Sequence, residues 1–519
     1  MSERYDVVVI GGGAAGLSGA LTLARSRRSV LVVDAGEPRN APAEGVHNYL
    51  GREGSPPGEL LAAGRAEVTG YGGEIVTGTV TSAEPVDDGF RVTLAGGRVI
   101  GARRLLVTTG LTDELPPVPG VAELWGRDVL HCPFCHGWEH RDQAIGVLAT
   151  TPMAMHQALM WRQLSPDVTL FQHTGPALTG EQRVQLAARG IVLVEGEVEA
   201  LETAGGRLTG VRLRSGEVVA RQALVVGTGL RARDDVLTGL GLKPVEQRAG
   251  DLVIGHAIAA DPTGATEVPG VWVAGNVTDV MAQVIGAAAA GLRAGAALNG
   301  DLVAEDTRLA VDAHLFGEAA WEERYRARAA IWSGRPNAQL VAEAADLPPG
   351  TALDVGSGEG ADAIWLAERG WQVTAADIST VAIERARGHA EAAGVAGRIE
   401  WAHTDITAWA PPEGRFDLVS AHFMHLPEAR RRALHDRLAA AVAPGGTLLI
   451  VGHHPLDLQT TMPRMDLPGL LFTAEEIAAG LDPGEWEVQV TDARPRPATD
   501  PEGREVTIHD AVLRARRRG

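Results

Sequence analysis

Cys132-Pro133-Phe134-Cys135-His136 holds the only two cysteines in a chain of 519 residues. Two intervening residues put the sulfurs within disulfide reach across one helical turn. A helix N-terminus and a neighbouring imidazolium both favour thiolate over thiol. Such a pair can make and break a sulfur–sulfur bond. Two other uses remain open on the residues alone. Zinc would need further ligands, for which His131, His136 and His140 are the nearby candidates. The pair could also be inert and buried. Of the three, redox chemistry suits a reduced compartment best, and no metal is expected.

Two glycine-rich turns supply the other chemistry. Gly11-x-Gly13-x-x-Gly16 follows the apolar run Val7-Val8-Val9-Ile10 and opens a helical pattern. Gly11 permits a tight turn, Gly13 lets backbone approach a pyrophosphate, and Gly16 lets helix and strand pack closely. Asp34 ends the next strand, placed to bond a ribose. The second turn, Asp354-Val-Gly356-Ser-Gly358-Glu-Gly360, has a different spacing, and Asp377 closes the strand after it. Each turn sits in a strand–turn–helix–strand unit, so two separate α/β domains are expected. Further short apolar strands end at Gly110, Gly227 and Gly275, as strands do when they deliver loops to a cofactor. A helix of small residues is expected over about 282–298, and a helical linker over 301–311.

Bulk properties exclude several classes. A net charge of −19 disfavours nucleic acid and anionic membranes as partners. Lys243 is the only lysine, and no Gly-Lys-Ser/Thr phosphate loop exists. The first residues carry no apolar signal core, and no run of about 18 apolar residues could span a bilayer. A cytoplasmic enzyme is expected.

The stretches GGGAAGLSGA, LLVTTG, HCPFCHGWE and VWVAGNVTD, in this order, resemble the low-molecular-weight thioredoxin reductase superfamily over about residues 5–300. The resemblance implies an FAD domain split into 1–114 and 248–300, with a nucleotide-domain-like module, 115–247, inserted between. It implies that Gly110, Gly275, Asn276, Gln283 and Val284 join Gly11, Gly13, Gly16 and Asp34 around FAD. Asn276 departs from the family's Gly-Asp pair, although an amide can still bond a hydroxyl. Cys135 would face the flavin, Cys132 would meet the substrate sulfur, and His136 would move the proton, with Glu139 as the candidate to orient its ring. A homodimer is implied on the same ground.

The inserted module departs from the reductases. Their second glycine turn, for NADPH, corresponds to Ala149-Thr150-Thr151, whose side chains would block a pyrophosphate. The basic cluster that would hold a 2′-phosphate corresponds to Phe171-Gln172-His173-Thr174. NADPH is therefore not expected as a cofactor. With the CPFCHGWE signature, the front half resembles the dithiol oxidases of gliotoxin and holomycin biosynthesis, which pass electrons from a small-molecule dithiol through FAD to oxygen. The alternative is an NAD(P)H-dependent thioredoxin-disulfide reductase fused to a methyltransferase of unrelated substrate.

Residues 312–519 resemble class I S-adenosylmethionine-dependent methyltransferases. The resemblance implies cofactor contacts from Asp354, Gly356, Gly358, Gly360, Asp377, Asp405 and Ile406. Trp321-x-x-Arg324-Tyr325 and Trp332-Ser-Gly-Arg335-Pro-Asn337 are similar to the cap of tellurite-resistance and thiopurine methyltransferases, which act on soft nucleophiles. Thiol S-methylation is thus the expected reaction, and His422, His425, His453 and His454 are candidate bases. The expected fold class is α/β: a two-module thioredoxin reductase-like FAD/NAD(P)-binding fold followed by a Rossmann-like methyltransferase domain.

Overall fold

The computed structural model describes residues 3–465, 467 and 469–519. It divides into two compact units, Met1–Glu305 and Asp306–Gly519. Among the described residues no helix is long and apolar enough to cross a membrane.

The first unit is built on the strand Arg4–Ile10, whose residues Val7 to Ile10 are all buried. A continuous apolar run of this kind needs cover on both faces, which a parallel sheet flanked by helices provides. The strand pairs in parallel with Val30–Asp34 on one side and Val99–Val107 on the other, and Val271–Val273 joins the far edge of Val99–Val107. The helix Ala14–Arg25 covers one face through Leu17, Ala20 and Leu23. The long helix Val284–Phe316 crosses it at near-contact distance. A Cβ on Gly291 would lie 1.9 Å from the carbonyl oxygen of Ala15, and one on Gly295 would lie 2.8 Å from that of Gly19. Any larger residue at these positions would force the helices apart.

The inserted module has its own five-stranded parallel sheet, with Ile145–Leu148 flanked by Val168–Phe171 and Ala223–Val226. The chain then returns to form a four-stranded sheet from Leu111–Glu114, Gly229–Ala232, Pro244–Ala249 and Leu252–Ile258. Residue 248, the expected start of the second FAD segment, falls inside the strand Pro244–Ala249. The expected linker 301–311 lies within the helix Val284–Phe316, which shows no break after Leu298.

The second unit is a seven-stranded sheet with the sequence order third, second, first, fourth, fifth, seventh, sixth. Thr351–Val355 lies between Gln372–Asp377 and Phe416–His422, all parallel, and Glu505–Arg517 runs antiparallel beside Val442–His453. This order brings the ends of Thr351–Val355 and Phe416–His422 side by side, and a ligand is expected at such a switch point.

Candidate functional site

A cavity of about 710 Å³ opens in the first unit above the strand ends. Its walls include Gly11, Gly13, Asp34, Gly110, Gly275, Asn276, Gln283 and Val284, together with Cys132, Cys135 and His136. Gly16 is not in the wall. A Cβ there would stand 1.9 Å from the Gly11 carbonyl oxygen, so its smallness serves helix–strand packing. Gly13 is the reverse case, since a Cβ there would meet no protein atom within 4 Å. That leaves backbone amides open to the cavity at the start of a helix, an arrangement that fits a pyrophosphate. Asp34 accepts from the Gly36 N–H at 3.0 Å and from Arg65 at 2.5 Å. Burial opposes its charge, but Arg65 and these bonds prevail and hold the carboxyl below its ordinary range.

Asn276 explains its own departure from the family pattern. Its Nδ2 donates to the carbonyls of Asp279 and Ala282 at 3.0 and 2.9 Å, closing the turn that leads into the long helix. A carboxylate has no hydrogen to give these carbonyls.

Pro133 starts a four-residue helix with Cys132 at its N-cap. The Cys135 thiol donates to Cys132 Sγ at 2.8 Å. That bond is the main reason the Cys132 thiol falls to about 7. Burial opposes the shift, while the N–H groups of Cys135 and Phe134 and the charge of Arg39 assist it. Cys135 moves the other way, held as a thiol by the hydrogen bond it gives, by burial and by its partner's charge. The expected imidazolium is not among these causes. Burial, then the charge of His140, lowers the pKa of His136, so its ring is a neutral proton acceptor near neutrality. Glu139 faces His47, 3.5 Å away.

Arg39 and Asp113 escaped the motif reading, and His131 entered it only as a candidate metal ligand. Arg39 binds Asp113 through two bonds of 2.6 and 2.7 Å, and Thr228 donates to the same carboxylate. His131 stacks on Trp125 at 5.5 Å and is pushed to about 4, first by burial and then by Arg39. Residues 39 and 113 belong to no common spacing pattern, so only the fold reveals the pair.

In the inserted module the second turn carries side chains of graded exposure, with Thr150 half-buried and Thr151 exposed. Ala149 is buried, and a Cβ on Gly175 would lie 2.7 Å from the Ala149 Cβ. The hydroxyls of Thr150 and Thr151 project toward Gly227. Gln172 ties this loop down by donating to the carbonyls of Gly175 and Pro176.

In the second unit Gly356, Gly358 and Gly360 have φ of 70°, 53° and 88°, left-handed values that favour glycine. The Gly358 N–H donates to one Asp377 oxygen and the Ser379 N–H to the other. Asp377 is thus already half-satisfied by backbone. Asp354 Oδ2 and Ser357 Oγ are buried beside the loop without a partner in the fold. Burial and then Asp362 raise Asp354 to about 7. Orphaned buried polar atoms at a strand end fit a polar ligand such as the amino-acid part of S-adenosylmethionine. Asp405 is exposed and accepts from Thr407 at 2.7 Å, Ile406 beneath it is buried, and the Asp377 carbonyl accepts from the Thr404 N–H. The cap residues lie over this loop. Trp332 donates through its indole to the Tyr325 hydroxyl at 3.0 Å, and its backbone N–H donates to Glu359. Asn337 caps the helix Ala338–Ala344. Arg324 stacks on Trp321.

Residues 5–291 match the family model for pyridine nucleotide-disulphide oxidoreductases, and residues 352–446 match one for a methyltransferase domain. Thioredoxin reductase tcpT of Claviceps purpurea is 30% identical over 328 residues, which is 59% of this chain and 96% of the relative. Thioredoxin reductase sirT of Leptosphaeria maculans is 30% identical over 312 residues, covering 57% and 93%. Among solved structures, HlmI superposes with a TM-score of 0.56 at 47% identity, over 60% of this chain and 98% of that one. An oxidoreductase from Agrobacterium tumefaciens gives 0.54 at 37% identity, over 58% and 99%.

Proposed function

Since the chain belongs to the pyridine nucleotide-disulphide oxidoreductase family and carries a methyltransferase domain behind it, we propose that it is a bifunctional enzyme for thiols. The front half oxidises a small-molecule dithiol to a disulfide with FAD and oxygen. The rear half S-methylates a thiol with S-adenosylmethionine. What supports this reading is the second turn, where Ala149, Thr150 and Thr151 stand in place of the glycines that a pyrophosphate-binding turn needs. FAD would be held by Gly11, Gly13, Asp34, Gly110, Gly275, Asn276, Gln283 and Val284. When bound it supplies a two-electron acceptor that oxygen can discharge.

In the oxidised pair a substrate thiolate attacks Cys132, forming a mixed disulfide and releasing Cys135. Burial, which raises the Cys135 pKa, favours its taking up a proton as it leaves. The second substrate thiol then attacks its own mixed disulfide, closing the product and freeing Cys132, with His136 as proton acceptor. Each turnover leaves both protein sulfurs reduced, and the pair is reset by passing two electrons to the flavin. In the rear half, Asp354, the loop Gly356–Gly360, Asp377, Asp405 and Ile406 would hold S-adenosylmethionine, which supplies a methyl group on a sulfonium.

A homodimer in the cytoplasm is part of the same reading. The relatives named thioredoxin reductases favour a second reading, in which a nicotinamide feeds the flavin. Stopped-flow mixing of the oxidised holoenzyme with NADPH under argon separates the two. On the first reading the flavin band persists with NADPH and bleaches with a dithiol; rapid bleaching by NADPH would sink it.

A further inference from the structure

Four histidines near the end of Phe416–His422 are candidate bases, and the fold commits three of them elsewhere. His425 and His453 stack on each other at 4.7 Å, and His425 Nε2 accepts the His453 N–H. His454 caps a short helix by accepting the Leu456 N–H. His422 differs. Its Nδ1 lies 2.7 Å from Asp362 Oδ2, and its Nε2 is buried with no partner. Asp362 lies in the first turn of the helix Ala361–Glu368 directly after the glycine loop, and its other oxygen accepts the Asn337 N–H at 2.6 Å. A carboxylate bound at Nδ1 fixes the tautomer that leaves a lone pair on Nε2. The next residue, Phe423, has φ of 55°, a left-handed backbone conformation rare for a bulky residue.

We propose that His422 is the general base of the methyl transfer and Asp362 its positioning residue, acting on the S–H of the acceptor. This rests on the S-methylation reading. A buried acceptor without a partner is destabilising, and a substrate S–H reaching Nε2 supplies the missing donor. His422 Nε2 takes that proton. The acceptor sulfur then bonds the methyl carbon while the donor's carbon–sulfur bond breaks, and its electron pair stays on the former sulfonium, leaving a neutral thioether. The proton on His422 leaves to solvent. The charged groups facing the ring are Asp362 and Asp354. Burial alone would lower the ring's pKa, but the Asp362 hydrogen bond and both negative charges turn the net shift upward.

The test uses the full chain with S-adenosylmethionine and two acceptors, an alkanethiol that is mostly protonated at pH 7 and 4-nitrothiophenol, which is already ionised. Loss of a general base costs about 10²-fold or more. His422→Gln should therefore slow turnover on the alkanethiol by about that factor and on the arylthiolate by less than about threefold, with the donor KM unchanged. Asp362→Asn should shift the acid limb of the alkanethiol pH profile to lower pH. Independently of activity, histidine-labelled cofactor-free protein should show one imidazole resonance that His422→Gln removes and whose midpoint Asp362→Asn lowers. Equal losses on both acceptors would overturn the proposal. So would a raised donor KM at constant kcat, or activity lost to a chelator and restored by a divalent cation. Wild-type turnover of neither thiol would refute S-methylation itself, and the base with it; wild-type turnover with equal losses refutes only the base. If His422→Gln does not fold, Asp362→Asn carries the same two readouts.

Discussion

Removing the Cys135 sulfur by Cys135→Ala should make Cys132 less acidic, because the hydrogen bond from Cys135 is the largest cause lowering it to about 7. A thiol with that pKa is about half ionised at pH 7, against roughly 1% at its ordinary value of 9. In the variant the N–H groups of residues 134 and 135 and the charge of Arg39 remain, while burial works against them, so a rise of about one unit is a conservative expectation. The thiolate fraction at pH 6 would then fall about tenfold. Each remaining thiolate is a better nucleophile, by about threefold per unit at a Brønsted slope near 0.45. The alkylation rate at pH 6 should thus drop only about threefold, whereas the midpoint of its pH profile should move by the full shift. The assay is iodoacetamide labelling of reduced protein between pH 5 and pH 9, with Cys132 followed by peptide mass spectrometry. A midpoint within a few tenths of wild type would refute the claim that one thiol acidifies the other.

Gly13→Ala, at the N-cap of Ala14–Arg25, should cost about 0.5–1 kcal/mol yet yield protein without flavin colour, whereas Gly16→Ala, clashing with the Gly11 carbonyl, should destabilise by about 1–3 kcal/mol or more; a flavin-loaded Gly13→Ala protein would contradict the open-cradle argument. Arg39→Leu should cost about 3–5 kcal/mol by stranding the buried Asp113 carboxylate, and adding Asp113→Leu should restore part of that; urea midpoints that simply add would show the two are not coupled. The second unit should weaken as pH falls below 6.5. His425, His435 and His453, pushed by burial to about 4, 4 and 2, stay neutral in the fold while the unfolded chain takes up protons. By pH 5 that removes roughly 2 kcal/mol apiece, offset in part by Asp354 and His422, whose raised values act in the opposite direction. A urea midpoint no lower at pH 5 than at pH 7 would show these rings already protonated in the folded chain.

The two nucleotide-type units are legible because Val7–Ile10 and the buried strand Thr351–Val355, apolar but for Thr351 and Asp354, each run into glycines whose conformations the turns require. The cysteine pair is legible because both its members sit in one turn. What stays hidden depends on long-range pairing. Arg39 meets Asp113, and Asp362 meets His422 sixty residues away, without a local signal. The sheet that unites Leu111–Glu114 with Gly229–Ala232 is also hidden, because its strands are short and partly exposed. Asn299-Gly300 reads as a helix end, yet the helix continues, with Leu298 and Leu302 both buried and Asn299 accepting a hydrogen bond from Arg28. Tertiary packing there outweighs a local stop signal.

The glycine-on-glycine crossing of Ala14–Arg25 with Val284–Phe316 sets an order on biosynthesis. The opening helix cannot meet its packing partner until a ribosome has added nearly three hundred residues, and the edge strand Val271–Val273 arrives almost as late. Until then the first sheet, whose other six strands lie within residues 4–107, lacks that edge strand and the cover of the long helix, while the inserted module, complete soon after Val226, has every parallel strand it needs. A nascent chain should therefore fold from its middle outward, and its earliest segment should be among the last to become resistant to protease.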